Sequence, residues 1–159
     1  MNWAEICEDP VLRDLPHKIE SDRWGHIVMS PPPDFWHGTY QTKIATLLER
    51  LLPDGIVVTE CPVETSDGIK GIDVVWLSKA RHPGRARYTV MKMAPEICVK
   101  VLSPSNTLAE FEERRRLLFE RNAGEAWLCT EGRMQFFTPA GPIPRSKLCP
   151  DFPVEVKVG

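Results

Sequence analysis

The chain reads as a mixed α/β (α+β) protein: a central β-sheet with two main helices on its faces and a hairpin at the N-terminus. Three observations carry that reading. Gly71-Ile-Asp-Val-Val-Trp-Leu77 and Ala94-Pro-Glu-Ile-Cys-Val-Lys-Val-Leu102 are short apolar runs of the kind found in strands covered on both sides. Tyr40, Ile44, Leu47, Leu48 and Leu51 recur at spacings of three and four, the apolar stripe of a helix packed on a sheet. Thr107 with Glu110 three residues later forms a capping box that opens a second helix.

Taken in order, the elements begin with a helical turn over Asn2–Glu8. Lys18-Ile-Glu20 and His26-Ile-Val-Met29 flank a polar turn closed by Gly25, which predicts a hairpin that Pro31-Pro-Pro33 ends. The first long helix runs from Trp36 to Leu52 and stops at Pro53-Asp-Gly55. Strands follow over Ile56–Val63, Ile72–Leu77 and Glu96–Leu102, the last two separated by a basic loop from Ser78 to Arg87. The second helix follows Thr107, with Leu108, Phe111 and Leu118 facing inward and Gly124 at its end. Strands over Ala126–Cys129 and Met134–Thr138 turn at Glu131-Gly132, and Val154–Val158 is a candidate edge strand. The pattern suits a sheet with helices on its faces.

At 159 residues the chain is predicted to form one domain over residues 1–159, large enough for a core without disulfides or metal. No run approaches the roughly 20 apolar residues that cross a bilayer, so a membrane protein is not expected. The N-terminus lacks the pattern of a secretion signal, and a cytoplasmic location is the expectation. Cys7, Cys61, Cys98, Cys129 and Cys149 are odd in number and widely spaced, which argues against a zinc site, and Cys61, Cys98 and Cys129, in strand-like runs, read as small core residues. A formal charge of −2 gives no global pull on nucleic acid. Contact with DNA would need a local basic surface, for which Arg81, Arg85 and Arg87, or the run Arg114-Arg-Arg116, are the candidates.

Two charges interrupt the buried strands: Asp73 and Lys100. An isolated buried charge is costly, so such groups pair, bind metal or neutralise. If the strands are neighbours, the two meet at one end of the sheet, as a functional centre or as a structural ion pair. On the second helix Arg114 and Arg115 fall on either side of the inward stripe, so one guanidinium can reach the same sheet end. Asp73, Lys100 and Arg114 form one candidate constellation. A Gly-x-Ser-x-Gly elbow and a phosphate-binding glycine loop are both missing, so Ser103 and Ser105 read as residues that start a helix rather than as nucleophiles.

The string Glu96-Ile-Cys-Val-Lys-Val-Leu-Ser-Pro-Ser-Asn-Thr107, with Glu112-Glu-Arg-Arg115 and Gly124-Glu-Ala-Trp127, resembles the Uma-type family of restriction endonucleases. Trp36-His-Gly38 and Thr59-Glu-Cys-Pro-Val-Glu-Thr-Ser-Asp-Gly68, leading into Asp73-Val-Val-Trp76, extend the likeness from Lys18 to Pro153. The resemblance implies a restriction-endonuclease-like core with a PD-(D/E)-x-K metal site. There an aspartate and a second acidic residue hold Mg²⁺ or Mn²⁺, which polarises the phosphate of DNA and activates water. Asp73 matches the family aspartate and metal ligand. Lys100 stands where the family has glutamate, and Arg114 where it has a helix lysine. Glu60 adds a carboxylate on the preceding strand, and His37 matches a histidine that opens the first helix and is a candidate contact to nucleic acid.

The two departures set the functional expectation. An ammonium cannot ligate Mg²⁺ and repels it, and a guanidinium does not give up a proton in the physiological range. The resemblance thus implies an endonuclease whose metal site is impaired, with a Lys100–Asp73 ion pair in place of the ion. Lys100→Glu is expected to recover metal binding. The alternatives are a non-catalytic module that keeps the nuclease fold and binds nucleic acid, and a protein-interaction domain. The last would be a homodimer anchored on aromatics such as Trp3, Trp24 and Phe35.

Overall fold

The fold is taken from a computed structural model that describes residues 1–15 and 18–159. The elements are α1 (Trp3–Glu8), β1 (Lys18–Ser21), β2 (Ile27–Ser30), α2 (Phe35–Leu51), β3 (Ile56–Thr65), β4 (Gly68–Leu77), β5 (Ile97–Val101), α3 (Leu108–Glu120), β6 (Glu125–Thr130), β7 (Arg133–Thr138) and β8 (Gly141–Ile143). Six strands make one sheet in the order β3-β4-β5-β6-β7-β8, and β1 and β2 make a separate hairpin. Every pairing in the sheet is antiparallel except β5 with β6, which are parallel and joined through α3. Parallel neighbours require such a crossover.

The two helices cover opposite faces. Ile44, Leu47 and Leu48 of α2 pack on Val74, Ile97 and Val99, while Leu118 of α3 packs on Val75, Leu77 and Cys98. Because side chains alternate along a strand, Asp73, two positions before Val75, and Lys100, two positions after Cys98, share the face of these α3-facing residues. Trp127, Phe136 and Phe152 fill the α2 side of β6 and β7, with ring centroids of Trp127 and Phe152 4.6 Å apart. The cysteines are all free thiols, and burial pushes the Cys61 thiol up to about 12.

Local signals explain where the helices begin. Asp34 caps α2 by accepting from the His37 amide at 2.8 Å. Thr107 and Glu110 close the capping box on α3 reciprocally. Three expectations are corrected. Gly124 does not end α3; Asn122 takes the left-handed conformation there, with φ 69°. Gly124 is instead a point of close approach, where an added Cβ would lie 3.1 Å from the Glu96 carbonyl oxygen. Leu108, the first residue of α3, is exposed, and the buried residues of the helix are Phe111, Leu117 and Leu118. The sheet edge is β8, whereas Val154–Val158 contributes a single bridge from Glu155 to Arg133.

The hairpin reaches the sheet through polar contacts. The Ile69 amide donates to Ser21 Oγ at 2.9 Å, Lys70 Nζ to the Ser21 carbonyl at 3.0 Å, and the Gly71 amide to Glu20 Oε2 at 2.6 Å. These bonds lay β1 along β4 and bring Lys18 and Glu20 beside Asp73. Among the described residues no helix is long and apolar enough to cross a membrane.

Candidate functional site

Asp73 is 1% exposed, and three other elements converge on its carboxylate. The β4–β5 register sets Val74 opposite Val99, and one further step sets Asp73 level with Lys100. Lys100 Nζ lies 3.6 Å from Oδ2, and the Val101 amide donates to the same oxygen at 2.8 Å. From β1, Lys18 Nζ donates to Oδ1 at 3.1 Å. From the first turn of α2, His37 Nε2 stands 3.4 Å from Oδ2. That geometry fits the tautomer with hydrogen on Nε2, which leaves the buried Nδ1 as a lone pair without a partner.

Charge around the site is closely matched. Lys18 Nζ also lies 3.5 Å from Glu60 Oε2, and Gln41 Nε2 donates both to Glu60 Oε1 at 3.0 Å and to the Asp73 carbonyl at 2.9 Å. Burial alone would raise the Asp73 pKa, but His37, Lys18 and Lys100 outweigh it and hold the carboxyl far below the usual range. Burial works against the Lys18 charge, yet Asp73, Glu60 and Glu20 together keep its pKa above that of an ordinary lysine. Lys100 goes the other way. Burial depresses it, and repulsion from Lys18 and Arg114 adds to that against the pull of Asp73.

The sequence-predicted residues divide. Asp73, Lys100 and Glu60 share the site. Arg114 does not reach Asp73: its guanidinium clamps Glu20 through two bonds, of 2.7 and 3.0 Å. Its fork matches a carboxylate, and Glu20 is the one its helix position faces. Against burial, Arg114 and Lys18 hold the Glu20 carboxyl below its usual range. His37, expected at a nucleic-acid surface, is instead 7% exposed against Asp73. Arg81 is engaged within the chain, its guanidinium donating to the Ala94 and Asn122 carbonyls and pairing with Glu96. Arg85 and Arg87 are exposed, but their loop leaves the far end of β4. Four residues separate Asp73 from that end, about 13 Å of strand.

Sequence reasoning passed over Lys18, Glu20 and Gln41. The available signal was the alternation of Lys18 and Glu20 in a short strand, which sends both charges to one face. Among the exposed aromatics, Phe35 and Trp36 stand edge to face at the start of α2, and Trp24 is also exposed. Trp3 instead lines a cavity of about 880 Å³ at the site, together with Pro31–Pro33, Lys18, Lys100 and Arg114.

The donor set does not fit a divalent ion. Mg²⁺ takes oxygen ligands in near-octahedral array. Here both Asp73 oxygens already meet an amide or a cation, and two ammoniums stand where ligands would be needed. Among the described residues no three His, Cys, Asp or Glu side chains come together as a metal site.

A family model described as "Uma2: Putative restriction endonuclease" matches residues 12–142. A solved structure, described as that of a putative nuclease belonging to DUF820 from Anabaena variabilis, is similar in fold. Its TM-score is 0.71 over 86% of each chain, at 14% sequence identity. No curated protein matches the chain significantly.

Proposed function

The chain belongs to the family described as "Uma2: Putative restriction endonuclease", and from that premise we propose that it engages DNA without metal-dependent cleavage. The observation that carries this reading is the state of Asp73. Its two oxygens are satisfied by Lys18, Lys100, His37 and the Val101 amide, all donors supplied by the chain itself. A nuclease of this type needs carboxylate oxygens open to an ion that activates water. The resemblance supplies the reason: Lys100 and Arg114 stand where the family carries glutamate and lysine.

The family description points to nucleic acid as the ligand class. In this chain, Lys100 is the cation best placed to meet a phosphate. Among the described residues its ammonium contacts only Asp73, and it borders the cavity with donors to spare. Phe35 and Trp36, exposed in the first turn of α2 next to the cavity-lining Asp34 and His37 in sequence, are aromatic rings of the kind on which bases stack.

Incubating the chain with linear, nicked and single-stranded DNA, with and without Mg²⁺ or Mn²⁺, tests the reading. Binding at low salt that weakens steeply as salt rises, with the DNA left intact, is the expected result. Metal-dependent cleavage that Asp73→Ala abolishes would overturn it, as would the lack of any binding at low salt.

A further inference from the structure

The family's metal site and this chain's side chains disagree most sharply at a residue outside the family motif. We infer that the Lys18 ammonium is a built-in cation that fills the gap between Asp73 and Glu60, and that it, more than Lys100, keeps a divalent ion out. This rests on the metal-free reading above and names the group responsible.

Three features make Lys18 the better fit for that role. It touches both carboxylates, at 3.1 Å from Asp73 Oδ1 and 3.5 Å from Glu60 Oε2, whereas Lys100 approaches one oxygen at 3.6 Å. Its stem lies in a built slot. Gly71 of β4 has no side chain, and a Cβ there would come within 2.9 Å of Lys18 Cε. The carboxylates are also fixed by groups other than Lys18. Glu60 sits in the left-handed region at φ 52°, level with Asp73 across the β3–β4 pair, and Gln41 ties the Glu60 carboxylate to the Asp73 backbone. A non-glycine residue persists in that conformation only where its surroundings hold it. Without the Lys18 charge, two preset carboxylates would face one gap.

This changes what Lys100→Glu should do. A glutamate at position 100 adds a ligand, but the Lys18 ammonium still occupies the space between Asp73 and Glu60. Removing the Lys18 charge while keeping its length over Gly71 opens that space. The decisive set is the unaltered chain, Lys100→Glu, Lys18→Met and the double variant, titrated with Mn²⁺ by calorimetry and by electron paramagnetic resonance.

No binding by the unaltered chain, weak binding by Lys18→Met, and binding about tenfold tighter by the double variant than by either single are expected, since each added carboxylate strengthens a hard-ion site. Lys100→Glu binding as tightly as the double variant would overturn the role given to Lys18 and leave the metal-free reading standing. Tight binding by the unaltered chain would overturn both. If Lys18→Met is less stable, its melting temperature reads the same point. A rise with Mn²⁺ supports the filled gap, since an ion bound only by the folded state stabilises it. No rise and no binding by either Lys18 variant refutes the inference.

Discussion

Asp73 and Glu125 are both 1% exposed carboxylates on central strands, yet the chain satisfies them in opposite ways. Glu125 accepts from Trp127 Nε1 at 2.9 Å, Ser146 Oγ at 2.6 Å, and the Lys147 and Leu148 amides at 2.8 and 3.0 Å. All four donors are neutral, and together they fasten the segment after β8 to the sheet. Asp73 accepts from one amide and is otherwise surrounded by Lys18, Lys100 and His37, three side chains from three elements beside an open cavity. A carboxylate enclosed by fixed dipoles is a fastening. One balanced by long cationic side chains at a cavity wall can exchange partners, and that is the quality expected of a binding site.

Glu125→Ala should break the first arrangement with the largest effect. It leaves four donors unpaired, Trp127 Nε1 and Ser146 Oγ buried and the Lys147 and Leu148 amides half-buried, on the order of 4–12 kcal/mol at about 1–3 kcal/mol for each before water relieves the two amides. Urea unfolding monitored by circular dichroism measures it, and a loss under about 2 kcal/mol would contradict the fastening role. Asp73→Ala should cost less, about 3–5 kcal/mol, the usual result of stripping one partner from a buried ion pair. Lys18 retains Glu60 and Lys100 borders the cavity, so both have somewhere to turn. A cost equal to that of Glu125→Ala would erase the distinction between the two sites.

The smallest effect lies in pH. Folded-state pKa values of Asp73 and Glu20 are depressed, Asp73 most of all. The stability they contribute is present above the unfolded carboxylate range of about 4 and drains away as pH falls below it. Acid titration of the melting temperature should therefore fall more steeply for the unaltered chain than for Asp73→Ala. Parallel curves would mean that Asp73 is not held as the geometry indicates.

Much of this architecture was legible because its signals are local. The Thr107–Glu110 box, the Tyr40-to-Leu51 stripe and the two apolar strands each specify an element within a few residues. Asp73 and Lys100 stood out because a charge is conspicuous in an apolar run. Lys18 and Glu20 did not, since their destination depends on how a four-residue strand docks onto β4 some 50 positions away. Arg81 misled for a related reason. In a Pro- and Gly-rich loop it resembled a free surface cation, but two backbone carbonyls and Glu96 claim it. Which residue forms the edge strand likewise depends on pairing partners, and the short run Gly141–Ile143 carries too few residues to announce itself.

The central claim is that lysines of the chain supply the positive charge a nuclease of this fold would draw from a metal. Nitrogen-15 NMR of the lysine side chains, titrated upward in pH, tests it most directly. Lys18 should lose its proton above the ordinary lysine value of about 10.4 and Lys100 below it, and Asp73→Ala should abolish much of the Lys18 rise. If both ammoniums titrate together at the ordinary value, and Asp73→Ala moves neither, the carboxylate is not balanced by these lysines and the account fails.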